Sequence, residues 1–249
     1  MPSDFQVAGP YEKFVLFGTV HLITMALTIL VPLGLAFLGR RSARADAIIR
    51  WGFVVLVIGG WISWYALFIA RDWLGIGNIL PVNLCDWAMI ALLIALIRKS
   101  PRAYELAYAW AIAGTVQGIV TPDVNYSFPE PQFIIFMLTH ADIVAGVLYL
   151  TFGTRLRQTP DSIPRVIAWT LGYGVVAGLT DWILGTNYGF MRAKPTHATL
   201  YDLLSPWPYY LLEVVAIGIA AVFLLYLPFY LLDRFSRPDR PAAVTSPTS

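Results

Sequence analysis

Residues 14–38 read FVLFGTVHLITMALTILVPLGLAFL, a stretch without a single Asp, Glu, Lys or Arg. A helix needs about 20 mostly apolar residues to cross the hydrocarbon core of a bilayer, because each residue advances it by about 1.5 Å. This stretch is therefore predicted to span a membrane. Comparable apolar runs follow at about 47–70, 80–97, 103–120, 132–153, 164–186 and 208–232. The sequence predicts an all-α integral membrane protein with seven transmembrane helices.

The composition excludes several classes of protein. The chain has 249 residues, of which 58% are hydrophobic and 13% charged, and its mean hydropathy is +0.66. Soluble domains carry about 45–50% apolar and about 25% charged residues, so a soluble domain, a disordered chain and a basic nucleic-acid binder are all disfavoured. The seven spans are predicted to form one domain, 1–236. The tail 237–249 is predicted to be disordered, and no cleaved signal peptide is predicted because a basic n-region is missing.

The basic residues predict the orientation, because cytoplasmic loops carry an excess of Lys and Arg. Thirteen of the 17 Lys and Arg residues lie in alternate connections and at the C-terminal end. An even number of spans would break this pattern. The N-terminus is therefore predicted outside and the C-terminus in the cytoplasm. The thirteen are Arg40, Arg41, Arg44, Arg50, Arg98, Lys99, Arg102, Arg155, Arg157, Arg165, Arg234, Arg237 and Arg240, and the outer side carries Lys13, Arg71, Arg192 and Lys194, interpreted as simple loop charges.

Two kinds of prosthetic site are disfavoured by the side chains available. A retinal protein needs a lysine inside a span, whereas Lys13, Lys99 and Lys194 all lie at span ends or in loops. A single cysteine, Cys85, excludes an intrachain disulfide and a multi-cysteine metal site. Histidines and carboxylates within the spans could ligate zinc, but no HExxH-like spacing supports this. No metal and no cofactor is predicted.

Three sets of matching residues recur in the same order in the two halves of the chain. Their offsets are 119, 118 and 127 residues, and the larger third offset fits an insertion between spans 6 and 7. Since spans 1 and 5 both enter from the outside, the halves are predicted to form a parallel 3+1+3 repeat with span 4 as the linker. Chance matches between aromatic-rich helices are the alternative. The pairs are Phe14, Phe17 and His21 with Phe133, Phe136 and His140; Gly60 and Trp64 with Gly178 and Trp182; and Pro81 and Asp86 with Pro208 and Glu213.

The ionisable residues of the spans are expected in the outer half of the bilayer, above an apolar floor. Such residues are costly in a membrane and usually face the interior of the bundle, where they mark sites. They are therefore predicted to line one polar pocket that opens to the outside. The alternative is a structural role, in which they hydrogen-bond between helices. The pocket is predicted to include His21, Cys85, Asp86, His140 and Glu213, with Asp123 and Asp181 near its mouth and Asp142 on the opposite face of span 5.

The segment Leu80-Pro-Val-Asn-Leu-Cys-Asp86 resembles the LPxxLCD segment of the YwaF-like bacterial membrane proteins. One departure is Asn83, where many relatives are expected to carry a histidine. The resemblance covers about residues 14–232 and implies seven helices in a bacterial plasma membrane, without an established biochemical role. Further matching pieces are Thr121-Pro122-Asp123, Phe136 with His140, Asn187-Tyr188, Lys194-Pro195 and Pro206-Trp207-Pro208-Tyr209-Tyr210.

The same resemblance extends distantly to a eukaryotic branch described as a phospholipid acyltransferase with a cysteine acyl carrier. That cysteine would correspond to Cys85. The first functional hypothesis is therefore lipid acyl transfer, with Cys85 as nucleophile, His140 as general base and Asp86 orienting an imidazole. Membrane lipids are the expected partners, nucleic acid is not, and the oligomeric state is left open. The predicted substrate-binding residues are His21, Asn83, Asp123, Asp181, Asn187 and Glu213.

The second hypothesis is a small-solute transporter or binding protein. Parallel helix repeats are a known transporter architecture, and their sites lie at the interface between the repeats. The apolar inner half offers no polar path, which counts against transport. Cys85 separates the two hypotheses because its repeat mate is Leu212. A transport site should tolerate Cys85→Ser, whereas a covalent mechanism should not.

Overall fold

The computed structural model describes residues 10–195 and 199–236, and within these ranges all regular secondary structure is helical apart from one isolated bridge between Lys13 and Tyr126. The predicted disordered tail lies outside the described residues. Two 3₁₀ turns, Tyr188–Phe190 and Leu200–Leu203, lie in the connection between α6 and α7. The helices are α1 Thr19–Gly39, α2 Ala43–Ala70, α3 Leu84–Arg98, α4 formed by Pro101–Trp110, a π-helical turn Ala111–Thr115 and Val116–Val120 in succession, α5 Pro131–Gly153, α6 Ser162–Leu184 and α7 Tyr209–Ser236.

Five of these helices are long and apolar enough to cross a membrane, namely α1, α2, α5, α6 and α7. The chain is therefore an all-helical, multi-pass membrane protein. Helix α3 has 15 residues, and at about 1.5 Å per residue it is shorter than the hydrocarbon core of about 30 Å. Helix α4 changes its hydrogen-bond pattern at the π-helical turn. The count of seven spans and the parallel repeat stay predictions.

Helix α5 is the centre of the bundle and packs against α1, α2, α3 and α4, whereas α6 and α7 pack on each other and on α4. Glycines permit the closest approaches. A Cβ on Gly60 of α2 would lie 3.0 Å from the Thr139 methyl on α5, and one on Gly146 of α5 would lie 2.8 Å from Leu92 of α3. The backbones therefore meet at small residues, as is common between membrane helices.

The first and third helices begin later than the hydropathy predicts. Helix α1 starts at Thr19 rather than at residue 14, because the preceding segment pairs with the α4–α5 loop: Phe14 N donates to Asn125 O at 3.0 Å. Phe17 then adopts a φ of 59°, which breaks the helix. Helix α3 starts at Leu84, after the extended residue Asn83. Hydropathy cannot register either event, since the residues before each start are mostly apolar.

Polar groups also occupy the end of the bundle opposite to Cys85, so the expected apolar floor is wrong there. Asp46 at the start of α2 pairs with Arg50 at 3.2 Å and with Lys99 at 2.6 Å. Glu105, near the start of α4 and only 3% exposed, pairs with Arg165. These carboxylates are paired, as buried charges must be.

Candidate functional site

Cys85 is the second residue of α3 and carries a free, partly buried thiol. The N–H groups of Asp86 and Trp87 both point to Asn83 O, at 3.1 and 3.3 Å. The N–H groups of Leu84 and Cys85 belong to the first turn, where no carbonyl of the helix can accept from them. The thiol therefore lies at the positive end of the helix dipole, which favours a developing negative charge.

Asp86 and Asn83 attach the start of α3 to its surroundings. Asp86 Oδ2 accepts a hydrogen bond from Asn83 N at 2.9 Å, which holds the first turn in place. Asn83 Oδ1 accepts from Gly189 N at 3.3 Å. The connection between α6 and α7 is thereby held against the residues that precede Cys85.

Tyr188 makes a second link between the two loops at this end. Its hydroxyl donates to Ile76 O at 2.6 Å and accepts from Leu80 N at 3.0 Å. Its own N–H donates to Asp181 Oδ1 at 2.7 Å. Burial raises the pKa of the Tyr188 phenol above its ordinary value. The α2–α3 and α6–α7 connections therefore form one layer beside the thiol.

The Tyr173 hydroxyl faces this layer without a hydrogen-bond partner among the described residues, although the side chain is 4% exposed. Its ring packs edge-on at 5.4 Å against Trp87, which lies two residues after Cys85. A Cβ on Gly189, whose φ is +58°, would lie 2.2 Å from the hydroxyl oxygen. Only glycine fits there, so the loop backbone is held directly against the phenol.

Asp181 supplies a second unpartnered polar atom on the same helix. Its Oδ1 accepts from Thr186 Oγ1 and from Tyr188 N, both at 2.7 Å. Its Oδ2 is buried and finds no hydrogen bond within the described chain. Buried polar groups are usually satisfied, so two unsatisfied ones in one neighbourhood require an explanation. A substrate group that carries a donor and an acceptor would satisfy both.

His140 on α5 has one ring nitrogen engaged. Its Nδ1 lies 2.8 Å from Phe136 O, and its ring stacks on Phe136 at 4.2 Å. Since a carbonyl oxygen can only accept, Nδ1 carries the proton, and Nε2 keeps its lone pair. A Cβ on Gly118 of α4 would lie 3.0 Å from this Nε2. The imidazole thus sits against the last turns of α4 with a basic nitrogen available.

His21 on α1, the predicted repeat mate of His140, has both ring nitrogens engaged. Phe17 N donates to Nδ1 at 3.0 Å, so Nδ1 is the acceptor. Nε2 therefore carries the proton and donates to Ile119 O on α4 at 2.7 Å. The side chain is 1% exposed. His21 therefore links α1 to α4 through the hydrogen bond to Ile119 O, which is a structural role.

Helix α4 brings the start of α3 and His140 to neighbouring positions. A Cβ on Gly114 would lie 2.8 Å from Leu84, which precedes Cys85, and one on Gly118 would lie 2.5 Å from Cδ2 of His140. The two glycines are four residues apart and share one face of α4. No hydrogen bond joins the Cys85 sulfur to a histidine in the ranges 10–195 and 199–236. The catalytic pairing of Cys85 with His140 therefore stays a prediction.

The remaining predicted site residues serve mainly to shape loops. Glu213 on α7 accepts from Ser205 through both carboxylate oxygens. Asn187 accepts from Arg192 N and Ala193 N at 2.9 and 3.0 Å. Asp123 lies partly buried in the loop after α4. The structure thus brings Asn83, Cys85, Asp86 and Asp181 together. His21 and His140 both contact the last turn of α4. That all the predicted residues line one cavity stays a prediction.

Sequence reasoning missed Tyr173, Gly189 and an ion pair. Arg71 was expected to be a simple loop charge, but its Nη2 lies 2.7 Å from Oε1 of Glu130, whose side chain is 1% exposed. Glu130 Oε2 also caps α5 by accepting from Phe133 N at 3.0 Å. Glu130 directly precedes Pro131, the first residue of α5, and proline at that position is a recognisable helix-start signal. No sequence signal identified the unpartnered Tyr173 hydroxyl.

No group of three or more His, Cys, Asp or Glu residues suited to a metal ion occurs within the described chain.

Comparison with known proteins gives three findings. The family model described as the TMEM164 family matches residues 16–226. An uncharacterized protein of Treponema pallidum (strain Nichols) is 27% identical over 225 residues, which are 87% of this chain and 90% of that protein. No solved structure matches. Since the family model covers most of the sequence, the chain belongs to the TMEM164 family.

Proposed function

We propose that this protein is a membrane enzyme that transfers acyl groups between lipids, with Cys85 as the acyl carrier. One observation carries the proposal: the thiol lies in the first turn of α3, where Trp87 packs against Tyr173, whose buried hydroxyl has no hydrogen-bond partner in the described chain. The resemblance to the YwaF-like proteins and their eukaryotic branch, which implies a cysteine acyl carrier, supports it. In this proposal Cys85 faces the outside of a bacterial plasma membrane.

The first half-reaction forms a thioester. A base removes the thiol proton, the thiolate attacks the acyl carbonyl of a lipid ester, and the carbon–oxygen bond to the alcohol breaks. The proton passes from the base to the departing alkoxide. In the second half-reaction the base deprotonates an acceptor hydroxyl, which attacks the thioester, and the proton returns to the sulfur. No oxidant or metal is consumed.

The start of α3 suits the tetrahedral intermediate. The N–H groups of Leu84 and Cys85 have no acceptor within the helix, so they can donate to the oxyanion. The Tyr173 hydroxyl can donate to the same oxyanion or to the leaving oxygen. The helix backbone fixes the first two donors and the packing against Trp87 fixes the Tyr173 ring, and preorganised donors of this kind stabilise a transition state strongly.

The base in this scheme is His140, whose Nε2 keeps its lone pair. Asp86 acts as a positioning residue, because its carboxylate holds the first turn of α3 through Asn83 N. Among the predicted substrate-binding residues, Asn83 and Asp181 lie in this cluster, and Asp181 Oδ2 has no hydrogen-bond partner in the described chain. The side-chain polar atoms of His21, Asn187 and Glu213 are all engaged by protein partners. We therefore assign headgroup binding to Asn83 and Asp181.

Trapping of the thioester tests the proposal. Purified protein in lipid nanodiscs is incubated with a phospholipid that carries an isotope-labelled acyl chain, and intact mass is read before and after neutral hydroxylamine. Cys85 is the only cysteine, so a hydroxylamine-sensitive acyl adduct can form only there. We expect the adduct in the wild type and its loss in Cys85→Ala. Acyl exchange at the wild-type rate in Cys85→Ala would reject the mechanism.

One observation favours the alternative, transport of a small solute. Asp142 on α5 is 4% exposed, and neither carboxylate oxygen has a hydrogen-bond partner among the described residues. Buried carboxylates inside spans often bind protons or cations in transporters. If Cys85→Ser keeps full function and Asp142→Asn abolishes proton-coupled solute uptake in proteoliposomes, transport replaces acyl transfer.

A further inference from the structure

A cavity of about 380 Å³ opens at the end of the bundle opposite to Cys85. Four helix ends meet there: the last turns of α1, α3 and α5 and the first turn of α2. Its volume falls within the range of about 300–1,000 Å³ typical of ligand sites. Its walls include Arg40, Ser42, Lys99, Thr154 and Arg155.

The charges around this cavity are mostly positive. Arg40, Lys99 and Arg155 line it, and the one acidic lining residue, Asp46, is already paired with Arg50 and Lys99. Arg40 donates from Nε to Phe152 O at 2.6 Å, and its two terminal nitrogens make no hydrogen bond within the described chain. The first turn of α2 adds the positive end of a helix dipole. The cavity therefore has an excess of donors and of positive charge.

Arg155 is the most available of these cations, because its guanidinium makes no hydrogen bond or ion pair within the described chain. Its backbone has a φ of 60°, and that of Lys99 is 51°. Both residues follow the last turn of a helix, where glycine is the usual choice because it has no Cβ. Non-glycine residues held in this region often belong to functional sites. Lys99 and Arg155 each place a positively charged side chain at the cavity.

We propose that this cavity binds a phosphate group, either in the headgroup of an anionic phospholipid or as a free anion. Guanidinium groups bind phosphate through two parallel hydrogen bonds, and a lysine adds a point charge. The cavity opens on the side where the basic residues concentrate, which is the predicted cytoplasmic side. Basic pockets between membrane helices on that side are suited to acidic lipid headgroups.

The test uses the full-length protein in a neutral detergent. Native mass spectrometry measures the binding of phosphatidylglycerol against phosphatidylcholine, and thermal unfolding is followed with inorganic phosphate at constant ionic strength. The variants are Arg155→Gly, Arg155→Lys and a control, Arg102→Gln, which removes a positive charge from the same end outside the cavity. Arg155→Gly removes backbone strain, so it is expected to melt no lower than the wild type.

We expect the wild type to prefer phosphatidylglycerol. Arg155→Gly should weaken this binding by at least about tenfold, the loss of one charge-assisted hydrogen bond, and Arg155→Lys should weaken it less. A shift by phosphate without a lipid preference, absent in Arg155→Gly, would assign the site to a free anion. The proposal is overturned if the wild type binds neither probe, if Arg155→Gly binds as the wild type does, or if Arg102→Gln loses as much.

Discussion

His140 and Gly118 are in direct contact across the α4–α5 interface. A Cβ on Gly118 would lie 2.5 Å from Cδ2 of the imidazole, closer than real Cβ atoms approach. The ring cannot easily move away, because its Nδ1 is bonded to Phe136 O and its face stacks on the Phe136 ring. The glycine therefore sets the position of the imidazole and of its free Nε2.

Gly118→Ala should displace this imidazole. We expect a loss of about 1–3 kcal/mol in stability from overpacking, together with a large loss of acyl transfer. Gly146→Ala is the matched control, because its Cβ would meet Leu92 of α3 at 2.8 Å, a similarly close contact between two helices that involves no histidine. It should lose comparable stability and keep its activity. Melting temperature and acyl exchange in nanodiscs are the measurements; equal activity losses in both variants would contradict the role of His140.

The two histidines should respond differently to removal. His21→Ala breaks the bonds to Phe17 N and Ile119 O, and we expect it to cost about 2–4 kcal/mol of stability. His140→Ala breaks one hydrogen bond and removes the stacking on Phe136, so it should cost less stability than His21→Ala. It should nevertheless reduce acyl transfer by about 10²–10⁴-fold, the usual contribution of a general base. Chemical denaturation and single-turnover acylation distinguish these outcomes, and an unchanged acylation rate in His140→Ala would exclude it as the base.

Tyr173→Phe should separate stability from activity. It removes a buried hydroxyl that has no hydrogen bond within residues 10–195 and 199–236, and an unsatisfied buried group costs about 1–3 kcal/mol. The variant should therefore be as stable as the wild type or more stable, while acyl transfer falls by at least about tenfold. Tyr188→Phe is the control: it loses its bonds to Ile76 and Leu80 and should be less stable. A fully active Tyr173→Phe would show that the hydroxyl is not used.

Reporter fusions at Ser100 and Thr199 should report opposite sides of the membrane. The two sites are separated by α4, α5 and α6, so an odd number of crossings lies between them if α4 spans. If only the five long helices cross, α5 and α6 alone separate them, and both reporters lie on the same side. The fusions, read in intact cells, therefore decide between seven and five spans.

Hydropathy alone was sufficient to predict the class of the protein and the approximate bounds of most helices. Apolar content is additive along the chain, and a helix satisfies its own backbone, so each span can be recognised without its neighbours. The single cysteine near the start of the third helix was also readable from the sequence. The later starts at Thr19 and Leu84 were not, because a bond from Phe14 to the distant Asn125 and a cap at Asn83 leave no trace in hydropathy.

Only the tertiary structure decided which polar residues are available for chemistry. His21 and His140 were predicted to be equivalent in a repeat, yet Nε2 of His21 is bonded to Ile119 O while Nε2 of His140 keeps its lone pair. Likewise, Arg71 looks like a loop charge until Glu130 is placed beside it. Such pairings depend on how helices rotate and cross, which the hydropathy of a single helix does not encode. The sequence by itself determined that the chain enters the membrane as helices; the packing of those helices determined which side chains remain free.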